Sequence, residues 1–279
     1  MSATKNLIKI FLGVKGRIKN IQFAVDDKEI MLNVPDDQYW ISIKDILLNR
    51  EYEYVSGFSL KNFKGLVVDA GANSGIFSII CALFAEKVIA LEPYPENYLR
   101  LQNNIQKNLV KNILPLKKAL WSKNEKLKIY EGSHSGEHSI YSGSNKFVSA
   151  SATTLDELVR TFGKIDLLKI DIEGAEFTVF ENLNSGVLNQ INSIVGEVHL
   201  EYGDLSLIVD KLKAEGFNVY TFNTPLCAKH NSFSIKPYGM IRLRLLRRLL
   251  YVLTPFKAKT NSKLKIVFAS KTVQKECLS

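Results

Sequence analysis

The chain has 279 residues, 46% hydrophobic and 23% charged, enough for one large α/β core with added segments. No apolar run approaches the roughly 20 residues that span a bilayer, and residues 1–19 lack the long apolar stretch and cleavage site of a signal peptide, so a cytoplasmic protein is expected. The net charge is +9, but Lys236, Arg242, Arg244, Arg247, Arg248, Lys257 and Lys259 occur within residues 236–259 with no acid among them, so one local basic element replaces a general polyanion-binding surface. Cys81, Cys227 and Cys277 are far apart, show no metal-ligand spacing, and read as reduced thiols.

Residues 1–60 form an N-terminal accessory segment, strand-like at 21–34 and helix-like at 41–48. The principal domain runs from 61 to 275. It opens with a short apolar strand at 66–70, a glycine turn and a buried helix at 76–84. A strand at 87–91, a helix at 95–108 and a strand at 113–120 follow. Residues 131–151 are rich in Gly, Ser and His and read as a mobile loop between short strands. Thr154 caps a helix to about 162, with Glu157 three residues on as its capping-box partner. Strands at 166–171 and 193–200 each precede a helix, at 175–183 and 205–215. The last strands, 217–222 and 264–269, have no crossover helix at the usual spacing and are expected to pair antiparallel. Between them lies a basic insertion, 224–262. Alternating strands and helices predict a parallel sheet with helices on both faces.

The turn Asp69-Ala-Gly71-Ala72-Asn73-Ser-Gly75 joins a strand to a helix, where glycines let backbone approach a ligand and the helix start offers free N–H groups. A dinucleotide loop has a glycine where Asp69 stands, because a carboxylate repels a pyrophosphate. The same carboxylate suits the ammonium of S-adenosylmethionine, directly or through water. Glu92 ends the next strand about 20 residues later, where a carboxylate can accept hydrogen bonds from both ribose hydroxyls.

Five blocks occur in order: Val68–Gly75, Glu92-Pro93-Tyr-Pro-Glu-Asn97, Thr154-Leu-Asp-Glu-Leu158, Leu168-Lys-Ile-Asp-Ile-Glu-Gly-Ala-Glu176 and Gly196-Glu-Val-His199. Together they resemble the FkbM-type methyltransferase family over roughly residues 65–220. The resemblance implies a class I, Rossmann-like α/β fold: a mostly parallel seven-stranded sheet with an antiparallel last strand. It also implies S-adenosylmethionine bound by Asp69, Gly71, Ala72, Asn73, Gly75, Glu92, Pro93 and Asp171, and O-methylation of a sugar, glycan or other small-molecule hydroxyl.

Asp171 and Glu173 leave the end of one strand, and Glu197 and His199 share a face at the end of the next. All four are candidate catalytic residues, with Asp171, Glu173 or His199 as the base that removes a hydroxyl proton. They are also the ligand set if a divalent metal binds, although their spacing matches no recognised metal signature and a metal is not favoured. The bland alternative places Glu173 and Glu176 as acids in a helix's first turn and His199 as a hydrogen-bonded strand end. Lys169, a cation within a buried strand, needs a partner. His134 and His138 close over an acceptor or stay solvated, and Asn103, Asn104, Lys107 and Asn108 read as a solvated helix end.

Residues 240–253 read as a helix with Ile241, Leu245, Leu249, Val252 and Leu253 on one arc and Arg244, Arg247 and Arg248 opposite, while Arg242 spoils the separation. Peripheral contact with an anionic membrane and packing on protein, including a second copy of the chain, fit equally. Two other functions stay open. An RNA methyltransferase is permitted by the charge, but no Asn-Pro-Pro-Tyr-type tetrapeptide follows the 166–171 strand, so a nucleic-acid partner is not favoured. A non-catalytic Rossmann-like cofactor-binding protein is opposed by the intact Asp69, Glu92, Asp171 and Glu173.

Overall fold

Alternation along the central strands decides the layers. In the computed structural model, which describes residues 20–33, 44–132, 137–141, 145–224, 226, 235–237 and 261–272, Val67, Leu167 and Val195 face one core while Val68, Leu168 and Ile194 face another. The strands carrying them are β3 (Leu66–Ala70), β9 (Ile165–Ile170) and β10 (Ile191–His199). With β4 (Lys87–Leu91), β5 (Ile113–Leu116), β11 (Asn218–Thr224) and β13 (Asn261–Ser270) they make a seven-stranded sheet of order β11-β13-β10-β9-β3-β4-β5. Only β13 runs against its neighbours, pairing antiparallel with both β10 and β11. The order reverses between β3 and β9, so a crevice opens beyond the carboxyl ends of those two strands.

Helices α1 (Ile76–Cys81) and α2 (Pro95–Lys107) cover the first face, and α3 (Leu155–Phe162), α4 (Glu176–Glu181), α5 (Ser185–Leu188) and α6 (Leu205–Ala214) cover the second. Thr154 caps α3, its hydroxyl accepting from Glu157 N at 3.1 Å, while the Glu157 carboxylate accepts from the Thr153 hydroxyl at 2.7 Å. Cys81 is a buried free thiol; Cys227 and Cys277 lie outside the described residues.

Several elements differ from expectation. The strand-like 21–34 region folds back as a hairpin, β1 (Asn20–Val25) and β2 (Lys28–Asn33). A π-helical turn, Lys44–Asn49, stands where a helix was predicted, followed by 3-10 turns. The third strand breaks after Leu116: Pro115 offers no N–H to a further neighbour on this sheet edge, and the chain passes into β6 (Lys118–Leu120) of another sheet. There β6 and β7 (Lys126–Tyr130) flank β8 (Phe147–Thr153), so the last five residues of the predicted loop, 147–151, are strand.

The solvated helix end is corrected as well. Asn104 is fully buried, and its amide donates to Asn33 O (3.1 Å) and Ser74 O (2.8 Å) while accepting from Asn33 N (2.6 Å). One turn on, Asn108 exchanges two bonds with Met31 (2.8 and 2.7 Å). Side-chain amides thus stand in for a neighbouring strand along β2. The N-terminal segment shares the first core: Phe23, Ile30, Leu47, Tyr52 and Phe58 pack with Val67, Phe77 and Phe268. Within the insertion, β12 (Ile235–Pro237) extends the hairpin sheet by pairing with β1. The predicted 240–253 helix lies outside the described residues. No helix among those residues is long and apolar enough to cross a membrane.

Candidate active site

The glycine turn curls over the end of β4. Gly71 N and Ala72 N both donate to Leu91 O, at 3.1 and 2.9 Å. Gly71 has φ 79°, and a Cβ there would lie 1.8 Å from the Asp171 carbonyl oxygen, so the turn requires glycine. Glu92 pins the turn from the other side, its two oxygens accepting from Asn73 N and Tyr94 N at 2.8 Å each. Burial pushes this carboxyl up to about 7, against the pull of those two amides. Gly75 caps α1 behind the turn.

Asp69 faces inward. It is fully buried, accepts from Ser78 Oγ at 2.6 Å, and sits 3.3 Å from Lys169 Nζ. Lys169 also donates to Gly71 O at 2.9 Å and lies 3.5 Å from Asp171. Burial works against its charge, but Asp69 and Asp171 outweigh that and raise its pKa. Lys169 therefore ties the glycine turn to the end of β9, and its partners are the ones a buried cation requires.

The four acceptor-side candidates converge. Tyr52 reaches them from the N-terminal segment, its hydroxyl 3.2 Å from Asp171 and 3.1 Å from Glu197. Burial and then Asp171 push Glu197 up to about 8. One phenolic proton cannot serve both carboxyls at once, so a protonated Glu197 completes this chain of bonds at neutral pH. His199 stands between Glu173, 3.3 Å from its Nε2, and Glu176, 3.3 Å from its Nδ1. Burial opposes its charge, yet the two carboxylates hold it as an imidazolium up to about 12. In that state both nitrogens carry protons and neither offers a lone pair. Burial pushes Glu173 up to about 7 despite the bond from His199. Glu176 is fully buried and accepts from Ile172 N and Gly174 N, the helix-start role anticipated for it.

An open cavity joins the two halves. Gly71, Ala72, Asn73, Glu92 and Pro93 form one wall, Asp171 and Glu173 another. Ala119, Leu120, Ile129 and Ile140 add an apolar side. His138 closes it, stacked on Tyr94 with centroids 3.6 Å apart, its Nδ1 accepting from Gly132 N at 3.1 Å. Ser139 straps this segment across the mouth by donating to Glu173 O at 2.6 Å. Asp69, Gly75, Glu197 and His199 stand behind the walls. His134 lies outside the described residues. Tyr52 and Ile46, which lines the cavity, were not found from the sequence; they sit on short turns with no periodic pattern.

Several solved methyltransferase structures are similar in outline. Precorrin-6y C5,15-methyltransferase from Geobacter metallireducens GS-15 is 14% identical (TM-score 0.41; 75% of this chain and 82% of that one covered). An rRNA methylase from Streptococcus thermophilus is 11% identical (TM-score 0.42; 77% and 93%). SMU.1697c, a putative methyltransferase from Streptococcus mutans in complex with SAH, is 9% identical (TM-score 0.40; 77% and 95%). No curated protein matches the chain. Family membership rests on a different finding: residues 69–219, more than half of the chain, match the Methyltransferase FkbM domain. A sheet order that reverses beside a glycine turn, an antiparallel final strand and this match agree, and the chain belongs to the FkbM methyltransferase family.

Proposed function

We propose that this methyltransferase uses S-adenosylmethionine to methylate a hydroxyl on a sugar or glycan. The observation that carries this reading is the two-walled cavity, with the glycine turn and Glu92 facing Asp171 and Glu173. Gly71 and Asn73 supply close backbone, and Glu92, oriented by two amides, has lone pairs left for a ribose diol. When bound, the sulfonium supplies an activated methyl group for in-line displacement. The chain's part is alignment and proton removal. Besides Glu92, which is turned to the donor, Asp171 and Glu173 are the carboxylates that line the cavity, and Glu173, near 7, is matched to taking a hydroxyl proton at neutral pH.

The sugar preference draws support from a tyrosine pair beside the wall that carries Glu173. Tyr141 and Tyr202 are 44% and 40% exposed and stack at 4.8 Å, with Tyr202 packed on Gly174 beside Glu173. A flat aromatic face suits the C–H face of a sugar ring. Calorimetry is expected to show binding of S-adenosylmethionine and none of NAD. Labelled donor is expected to methylate members of a glycan panel, with Tyr202→Ala raising acceptor KM several-fold at unchanged donor affinity. Binding of NAD in place of the sulfonium would overturn the reading.

A further inference from the structure

The carboxyl groups around His199 outnumber their cations. Lys169 and Tyr52 join Asp69, Asp171 and Glu197, His199 joins Glu173 and Glu176, and the two groups lie side by side with Lys169 and His199 as their basic members among the described residues. S-adenosylmethionine brings a single net positive charge, so carboxylates still outnumber cations with the donor in place. One ligand atom each from Asp171, Glu173 and His199 lies within 4.8 Å of the others. Ligands on opposite sides of an ion with bonds of about 2.1–2.4 Å are separated by twice that length, about 4.2–4.8 Å.

The histidine is held as metal-binding histidines are. Its Nδ1 faces Glu176, a fully buried carboxylate itself fixed by Ile172 N and Gly174 N. That partner sets the ring orientation and leaves Nε2 as the ligating atom. Nε2 and Glu173 stand 3.3 Å apart, longer than the roughly 2.7–2.9 Å of a tight charged hydrogen bond. Glu197 is engaged by Tyr52 and lies outside the three-residue set.

We infer that Asp171, Glu173 and His199 bind one divalent cation of the Mg²⁺/Mn²⁺ class, with Glu176 as the positioning residue for His199. The ion displaces the Nε2 proton of His199, which leaves to solvent. Its role rests on the hydroxyl-transfer reading: coordinated at the cavity wall, it acidifies an acceptor hydroxyl and orients a neighbouring one. Ion binding itself does not depend on that reading.

The test uses the tag-free, chelator-treated full chain and Mn²⁺ alone, followed by calorimetry and electron paramagnetic resonance. One Mn²⁺ per chain is expected, with nitrogen modulation of its spin echo that is lost in His199→Gln. Asp171→Asn, which preserves shape, is expected to weaken binding more than tenfold, and Glu176→Gln about 10–100-fold. Absence of saturable Mn²⁺ binding at millimolar concentration, or affinity indifferent to Asp171→Asn, overturns the inference. S-adenosylmethionine binding measured on the same samples separates the failures. Donor binding without Mn²⁺ overturns the ion alone, because the cluster then relieves its charge by taking up protons. Loss of both overturns the function reading as well.

Discussion

Glu173 occupies a left-handed backbone position, φ 54°, between the Asp171 carboxylate and Gly174. A non-glycine residue held there costs of order 1–3 kcal/mol, and such positions cluster at functional sites. In chelator-containing buffer, with Glu173 free of any ion and acting as the base, activity depends on its ionised form, so kcat/KM rises with pH through about 7 and then levels. Asp171, Glu176 and His199 are the charged groups that set this midpoint. Glu173→Gln is expected to remove that limb and lower kcat by about 10²–10⁴-fold at unchanged donor affinity, read from a pH–rate profile. Glu197, also raised, makes a stability statement with the opposite pH trend. Its folded pKa, about 8, lies above the ordinary glutamate value of 4.5, so the stability it contributes is present below about 4.5 and is lost as pH rises through 8. Glu197→Gln is therefore expected to melt higher than wild type at pH 8.5, with the gap closing at pH 5, in chelator-containing buffer. Asp171, Glu173, Glu197 and His199 were legible because strand ends and a period of two place them together. Tyr52 was not, because it arrives from a segment 119 residues away, on a turn that no periodicity marks.

At the scale of elements, the docking of the hairpin on α2 shows why polar helix residues mislead. Two asparagines four apart look like a solvated face, since an amide in a helix seldom competes well for burial. Here the i, i+4 spacing matches alternate residues of β2, Met31 and Asn33, and burial follows from satisfied hydrogen bonds. Asn104→Leu removes three bonds and leaves Asn33 and Ser74 groups unpaired. A loss of about 2–4 kcal/mol in urea unfolding is expected, against about 1 kcal/mol or less for the exposed-side Asn108→Ala. The strap at His138 and Ser139 was partly legible. Its composition marked a loop, but the bonds that lay it over the cavity depend on Tyr94 and on the Glu173 carbonyl, which only the fold brings near.

For the whole molecule, alternating strands and helices were enough to read the sheet, its antiparallel last strand and the position of the glycine turn. Composition assigned most of the excess charge to residues 236–259, and that segment's proposed contact is with an anionic membrane. Liposome flotation of the full chain against one lacking residues 238–259 is expected to show anionic-lipid binding only in the former; equal flotation counts against it. The reading from sequence treated residues 1–60 as an accessory, because apolar patterning does not reveal which core a segment joins. Phe23, Leu47 and Phe58 share the core of Val67 and Phe77, and Ile46 of the same segment lines the cavity.

The place of β13 has a consequence for the order of assembly. β13 lies between β10 and β11 although it is the last of the seven strands to leave the ribosome. The hairpin sheet is likewise completed late, by β12 pairing with β1 across some two hundred residues of chain. During synthesis, at about 5–20 residues per second, β3, β4, β5, β9 and β10 can assemble early. The edge of β10 must then wait for β13 while β11 stays unattached. The nascent protein thus carries an open, apolar strand edge for several seconds, the interval in which a chaperone is most useful to it.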